Sequence, residues 1–318
     1  MSLLSQKHLQ NEEAAYAWVE ARIWPNGAVC AHCGEDKRVS KMQGKATRIG
    51  LYKCYACRKQ FNVKIGTIFE KSHIQMHLWL QAFYLLAGSK KGISSNQLSR
   101  TLGVTLKSAW FMSHRIREAM RSGSLAPMGG SGDSGVVEVD ETYIGTKDGT
   151  QKAKGGYGHK RAVVTLVNRH GQARSFHVDK ANTATVMPII RENISSEAVV
   201  ITDESRIYDP VQNHAAHHAR INHFRDEYVS EARSEWITGD IHTNTVEGYF
   251  SLFKRGMRGV YQHCAEKHLH RYLAEFDFRY NNRVKLGVDD QERAARAVEG
   301  AVGKRLTYRT TNQQVTDA

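Results

Sequence analysis

The residues best able to do chemistry in this chain form two sets, one of thiols and one of acids. Four of the five cysteines make two Cys-x-x-Cys pairs, Cys30 with Cys33 and Cys54 with Cys57, with twenty residues between the pairs. Two thiolates on one tight turn reach the same ion, and two such turns close a tetrahedron. The spacing therefore predicts a structural Zn2+ site ligated by all four. In a piece this small, metal-binding energy is folding energy. His32 lies inside the first pair, where a fourth thiolate leaves no place for it, and Cys264 reads as a packed thiol.

The acids are dispersed. Asp140 closes the apolar run VVEVD and Asp203 closes VVITD; an ionisable group at the end of a buried strand is costly unless something there needs it. Glu247 lies in HTNTVEGYFSLFKRG with Lys254 seven positions on, close to two helical turns, so both project from one face. Three carboxylates can hold two magnesium (or manganese) ions for an in-line phosphoryl displacement, Asp140 bridging both and Asp203 and Glu247 completing one each. Lys254, with Arg255 beside it, would meet phosphate as a point charge. The rival reading of Glu247 is a capping box with Asn244 as the cap, and Asn244 is itself a neighbouring candidate for the third ligand position. Glu141 is set aside because strand alternation points it to the opposite face.

These side chains need scaffolds. Residues 11–24 repeat apolar groups at helical spacing until Pro25, Asn26 and Gly27 stop them. Residues 1–66 thus read as an N-terminal helix and the cysteine module. Residues 67–121 are all-helical, and SSNQLSRTLGVTLKSAWFMSHRIREAM, with its turn at Gly103, has the shape of a helix-turn-helix. Its DNA-facing candidates are Lys107, Ser108, His114, Arg115 and Arg117, with simple helix packing as the alternative. Residues 122–135, rich in glycine and serine, read as a flexible linker. From 136 to 318 the pattern changes: strands at 136–145, 161–168 and 172–178 suggest a meander, then a helix at 183–193, a buried strand at 198–203 and helices from Asn244. Such an order describes a mixed α/β layer fold.

Lysine and arginine outnumber acids 45 to 32, for a formal charge of +13 and a pI near 9.5. That balance suits a polyanionic partner. Around the cysteine module, Lys37, Arg38, Lys41, Lys45, Arg48, Lys53, Arg58 and Lys59 interleave with Tyr52, Tyr55 and Phe61, a surface able to track phosphates or simply a solvated basic face. The absence of an apolar run of eighteen residues speaks against a membrane segment, and an N-terminus that turns polar early suggests the cytosol. His214, His217, His218 and His223 read as a DNA-facing or solvated segment, lacking the cysteine or carboxylate spacing of a metal site.

The chain resembles the ISXO-like group of bacterial insertion-sequence transposases, which join a zinc ribbon to a ribonuclease-H-like DDE core. The matching stretches are WPNGAVCAHCG, CRKQFNVKIGTIFE, GISSNQLSRTLGV with KSAWFMSHRIREAM, EVDETYIG, HTNTVEGYFSLFKRGMRGVYQH, KHLHRYLAEFDFRYNNR and GKRLTYR. They span nearly the whole chain, and the block from His242 to Arg283 is the specific one. Resemblance implies a ribonuclease-H-like α/β core, two divalent cations on Asp140, Asp203 and Glu247, and Lys254 on DNA. One departure is Ala31, where such ribbons usually carry proline, a change affecting rigidity more than ligation. The expectation is a protein that binds terminal inverted repeats, cleaves element ends and joins them to target DNA, working near the nucleoid as a homodimer or higher assembly. Its rivals are a non-catalytic DNA-binding regulator and a metal-dependent nuclease.

Overall fold

The computed structural model describes residues 5–123, 125–130, 135–151, 153–221 and 241–307. The chain divides into two compact units, one of Met1–Ser89, Ile93–Arg121 and Asp290–Ala318, the other of Lys90–Gly92 and Ser122–Asp289. Among the described residues no helix is long and apolar enough to cross a membrane.

In the first unit, α1 (Glu12–Ile23) starts at Asn11, whose side chain accepts the Ala14 N–H, and Glu12 and Glu13 complement the helix dipole. The cysteine module is a small antiparallel sheet of β1 (Val39–Lys41), β2 (Tyr52–Cys54) and β3 (Gln60–Phe61). Its apolar content is slight: Trp24 meets the rings of Tyr52 and Phe61 edge-on at 5.4 and 5.7 Å. Glu20 of α1 ties it down by accepting from Lys41 and Tyr52, each at 3.0 Å. Helices α2 (Met76–Gly88), α3 (Ser95–Leu102) and α4 (Leu106–Met120) follow. Gly103, at φ 66°, ends α3 in the left-handed region, while Ser94 and Thr105 cap α3 and α4 with their hydroxyls.

The second unit is built on a five-stranded sheet: β4 (Val136–Ile144), β5 (Arg161–Asn168), β6 (Ala173–Val178), β7 (Val199–Asp203) and β8 (His217–Ile221), in the order β6-β5-β4-β7-β8. The first three form the antiparallel meander that alternation suggests, and β7 and β8 run parallel to β4. One face carries Val163 and Val167 against Tyr249 and Phe253 of α6 (Asn244–Gly256) and Leu273 and Phe276 of α7 (Leu269–Asn281). The other carries Val137, Val139 and Leu166 against Val186 and Ile190 of α5 (Thr183–Asn193) and against Tyr208 from the 3-10 turn Arg206–Asn213. Where α6 meets α7, a Cβ on Gly256 would lie 2.4 Å from the Phe276 ring, so only glycine allows this approach.

Two expectations are corrected. The histidine block is no solvated segment: His217 and His218 belong to β8, a strand whose polar composition hid it. His218 Nε2 lies 2.9 Å from Thr202 Oγ1, and burial pushes its pKa down to about 4. His214 faces the Ile194 carbonyl, and His223 lies outside the described residues. The C-terminal domain also does not run to the end of the chain. The last helix, α8 (Asp290–Glu299), packs on α2 in the first unit, where Arg293 bonds the Ala87 carbonyl at 3.3 Å.

Candidate active site

Strand register sets the acidic residues. β4 and β7 are parallel with Val136 opposite Val199 and Glu138 opposite Ile201, and the same offset brings Asp140, midway along β4, level with Asp203 at the carboxyl end of β7, the edge at which open α/β sheets bind ligands. Asp140 Oδ1 accepts the Glu141 N–H at 2.7 Å, and Asp203 Oδ1 accepts the Ser205 N–H at 3.0 Å. From α6, Glu247 and Lys254 join them around one cavity of ≈ 590 Å³ that Glu141, Thr142, Phe250 and Ser251 also line. Asp140, Asp203, Glu247 and Lys254, chosen from the sequence, thus line one cavity.

The electrostatics suit a cation. Burial first, then the charges of Glu141, Asp203 and Glu247, push the Asp140 pKa well above the usual carboxylate range. Burial likewise raises Glu141, opposed by the Tyr208 hydroxyl, which donates to its Oε2. Glu141 reaches the opposite layer as alternation requires, yet it still lines the cavity, so setting it aside entirely is corrected. Mutually repelling hard oxygen donors are a fit for divalent cations, whose charge reverses the penalty. Lys254 Nζ stands 5.8 Å over the Phe250 ring.

The start of α6 differs from the capping box. Asn244 is the exposed first residue of the helix and is absent from the cavity lining. The cap position belongs to Thr243, whose hydroxyl donates instead to Glu247 Oε1 at 3.0 Å. Glu138, which the sequence reading passed over, accepts from the first-turn amides. Its signal was available: two residues before Asp140 in an apolar run, it shares Asp140's face.

The DNA-facing candidates on α4 divide. Lys107 is exposed, and Ser108 is half-buried with its N–H on Thr105 Oγ1. His114, Arg115 and Arg117 are corrected to interior residues, 1%, 6% and 1% exposed. Arg115 donates to the carbonyls of Ile68, Glu70 and Leu306 at 2.6, 3.0 and 3.1 Å, and Arg117 to Ser113 Oγ at 3.0 Å. Beyond its first turn α4 is covered, so its basic residues bind the fold. Arg255 is exposed on α6.

The cysteines converge as spaced. Cys30 and Cys57 place their sulfurs 3.7 Å apart, as do Cys33 and Cys54. All four ligand atoms lie within 4.8 Å of one another, and none is in a disulfide. A tetrahedron with Zn–S near 2.3 Å has edges of about 3.8 Å, so the cluster has the size of a Zn(Cys)4 site. His32 points elsewhere, to the Gln60 carbonyl, and Cys264 is buried apart from the cluster, in the other unit.

A structural zinc ribbon ahead of a mixed α/β layer, with acids from two neighbouring strands and a helix lining one cavity, is the make-up of a DDE transposase. Residues 133–281 match the ISXO2-like transposase domain and residues 10–60 the transposase zinc-ribbon domain. The chain belongs to the ISXO2-like family of insertion-sequence transposases. It is 27% identical over 275 residues to an uncharacterized protein in transposable element ISH50 of Halobacterium salinarum, covering 80% of this chain and 86% of that one. An uncharacterized transposase-like protein of Haemophilus influenzae is 28% identical over 105 residues, 33% of this chain and 77% of that one. A solved pre-cleavage Mos1 transpososome overlaps 64% of this chain and 75% of its own at 11% identity, but with a TM-score of 0.22, too loose to carry geometry across.

Proposed function

We propose that this transposase binds the terminal inverted repeats of an insertion sequence, cleaves the element ends and joins them to target DNA, using a ribonuclease-H-like core. What carries this reading is the convergence of Asp140, Asp203, Glu247 and Lys254 on one cavity inside the stretch that matches the transposase domain. The sheet order, an antiparallel meander extended by two parallel strands, suits that core. Asp140, which feels the charges of both Asp203 and Glu247, would be shared by two cations, magnesium or manganese, with the other two acids holding one each. Such ions activate the attacking oxygen and neutralise the leaving one. Lys254 would hold a substrate phosphate beside them, with Arg255 on the strand leading away. No covalent protein intermediate is required.

End recognition would fall to the ribbon and to α3 and α4 acting as a helix-turn-helix. Residues at the start of a recognition helix are those that meet bases, and the exposed Lys107 with Ser108 occupies that start. One active site per element end calls for a homodimer or higher assembly on DNA.

The test is strand transfer of a labelled, precleaved element end into a plasmid with magnesium, comparing native protein with Glu247→Gln. Joined product from the native protein, reduced at least about a thousandfold in the variant, supports a DDE transposase with Glu247 in the site. Cleavage without joining makes the protein a nuclease. DNA binding with neither, where a control transposase is active, makes it a regulator.

A further inference from the structure

Glu138 sits on β4 two residues before Asp140, 0% exposed and outside the cavity lining. Its oxygens serve the start of α6. Oε2 accepts the backbone N–H groups of Thr245 and Val246 at 2.9 and 3.0 Å. Oε1 accepts the Thr245 hydroxyl at 2.7 Å, with His242 Nδ1 at 3.2 Å and Arg169 Nε at 3.7 Å. The first N–H groups of a helix have no partner inside it, and the residue at the cap position usually supplies one. The side chains of Asn11, Ser94, Thr105 and Asn182 cap α1, α3, α4 and α5 in this way, whereas at α2 the cap residue Gln75 makes no such bond and Glu12 of α1 accepts the Met76 and His77 N–H groups at 2.8 and 3.2 Å. At α6 the cap residue is a threonine equally able to do so, yet Thr243 makes no cap bond and its hydroxyl is turned onto Glu247 Oε1.

Two tasks are therefore divided between two residues. We propose that Glu138 is a positioning residue for the divalent-cation site: by capping α6 from the strand that carries Asp140, it fixes Glu247 and Lys254 relative to Asp140 and releases Thr243 to orient the Glu247 carboxylate. This rests on the reading of Asp140, Asp203 and Glu247 as cation ligands. Glu12 at α2 shows that a carboxylate from a neighbouring element can serve as an ordinary cap; what sets α6 apart is that its capping carboxylate stands on the strand of Asp140 and that the Thr243 hydroxyl is turned onto Glu247. Because Glu138 and Asp140 share one strand face, two residues or about 7 Å apart, the helix and the first ligand are held by one rigid element.

The experiment uses the full chain with Mn2+ as probe. In Glu138→Gln, one acceptor oxygen is replaced by an NH2 group that cannot accept. Amide exchange at Thr245–Gly248 in the metal-free protein should quicken at least about tenfold while α7 is unchanged, and Mn2+ binding read by electron paramagnetic resonance should weaken at least about tenfold. The catalytic rate in strand transfer should fall with little change in KM for DNA, as for a group acting through another. Thr243→Val, which leaves the Glu138 bonds in place, should weaken Mn2+ binding without quickening exchange at Thr245 and Val246. Either variant binding Mn2+ within twofold of native would overturn the proposal, as would weakened binding in Glu138→Gln with unaltered exchange in α6. Native protein that binds no Mn2+ would instead sink the cation-site reading, and this proposal with it.

Discussion

The zinc cluster and the acidic cavity solve the same problem, holding charged donors together, by opposite means. Each ribbon donor is separated from a partner by only two residues, so two short turns gather four sulfurs within 4.8 Å in a module whose core is little more than Trp24, Tyr52 and Phe61. The acids come from positions 140, 203 and 247, brought to one cavity by strand register and by a helix anchored from β4. Sheet and helices pack densely behind them. The ribbon should consequently depend on its ion for folding, whereas the cavity should persist without ions as a preformed cluster of repelling charges.

The largest effect tests that contrast. Chelating the zinc, or replacing Cys54 by serine, should remove a contribution of about 10 kcal/mol to the ribbon's folding, abolishing the near-ultraviolet signals of its aromatic cluster. Elemental analysis should find one zinc per chain beforehand. Removing magnesium should leave the fold of the second unit intact by circular dichroism. A ribbon that keeps its signals after complete zinc loss would erase the distinction.

The same contrast governs what the sequence revealed. Cys30, Cys33, Cys54 and Cys57 were legible because their geometry is local. Asp140 and Asp203 were legible because each breaks an apolar run at its end, and strand boundaries there fell within a residue or so of those observed. Glu138 breaks the same run but looks like strand noise until α6 is laid across it. β8 carries too many histidines for alternation to show. Arg115 and Arg117 looked like DNA contacts because charge on a helix usually means solvent. Only the chain segments folded around α4 reveal otherwise, and Leu306, whose carbonyl Arg115 bonds, is 191 positions away.

That correction makes the next prediction. Arg115→Ala leaves the carbonyls of Ile68, Glu70 and Leu306 without their donor, so the first unit should lose about 4 kcal/mol in denaturant unfolding. Were Arg115 a DNA contact instead, stability would hold and affinity alone would fall.

A buried acid away from the cavity gives a somewhat smaller effect. Asp277 accepts from the Tyr249 hydroxyl and from the hydroxyl and N–H of Ser175, and burial, the largest influence, raises its pKa from 3.8 to about 6. Below about pH 3 it is protonated folded and unfolded alike. As pH rises towards 6 the unfolded chain releases the proton first, so stability is lost across that window and then levels off. The stability of native protein minus that of Asp277→Asn should fall by about 3 kcal/mol from pH 3 to 7. A flat difference curve would mean that Asp277 stays ionised in the fold and that burial does not govern it.

The smallest effect falls on Lys107, and it bears most directly on function. It lies in the exposed first turn of α4, so Lys107→Ala should leave stability within about 0.5 kcal/mol of native. On the proposed reading the residue neutralises one phosphate, and each such contact releases condensed counterions. The slope of log affinity against log salt for an element end should therefore become shallower by about 0.9. Arg115→Ala cannot produce that pattern: any binding it loses comes with lost stability, because its guanidinium is engaged inside the unit. Unchanged slope with Lys107→Ala would remove the first turn of α4 from the DNA interface and leave recognition to the exposed basic face of the ribbon.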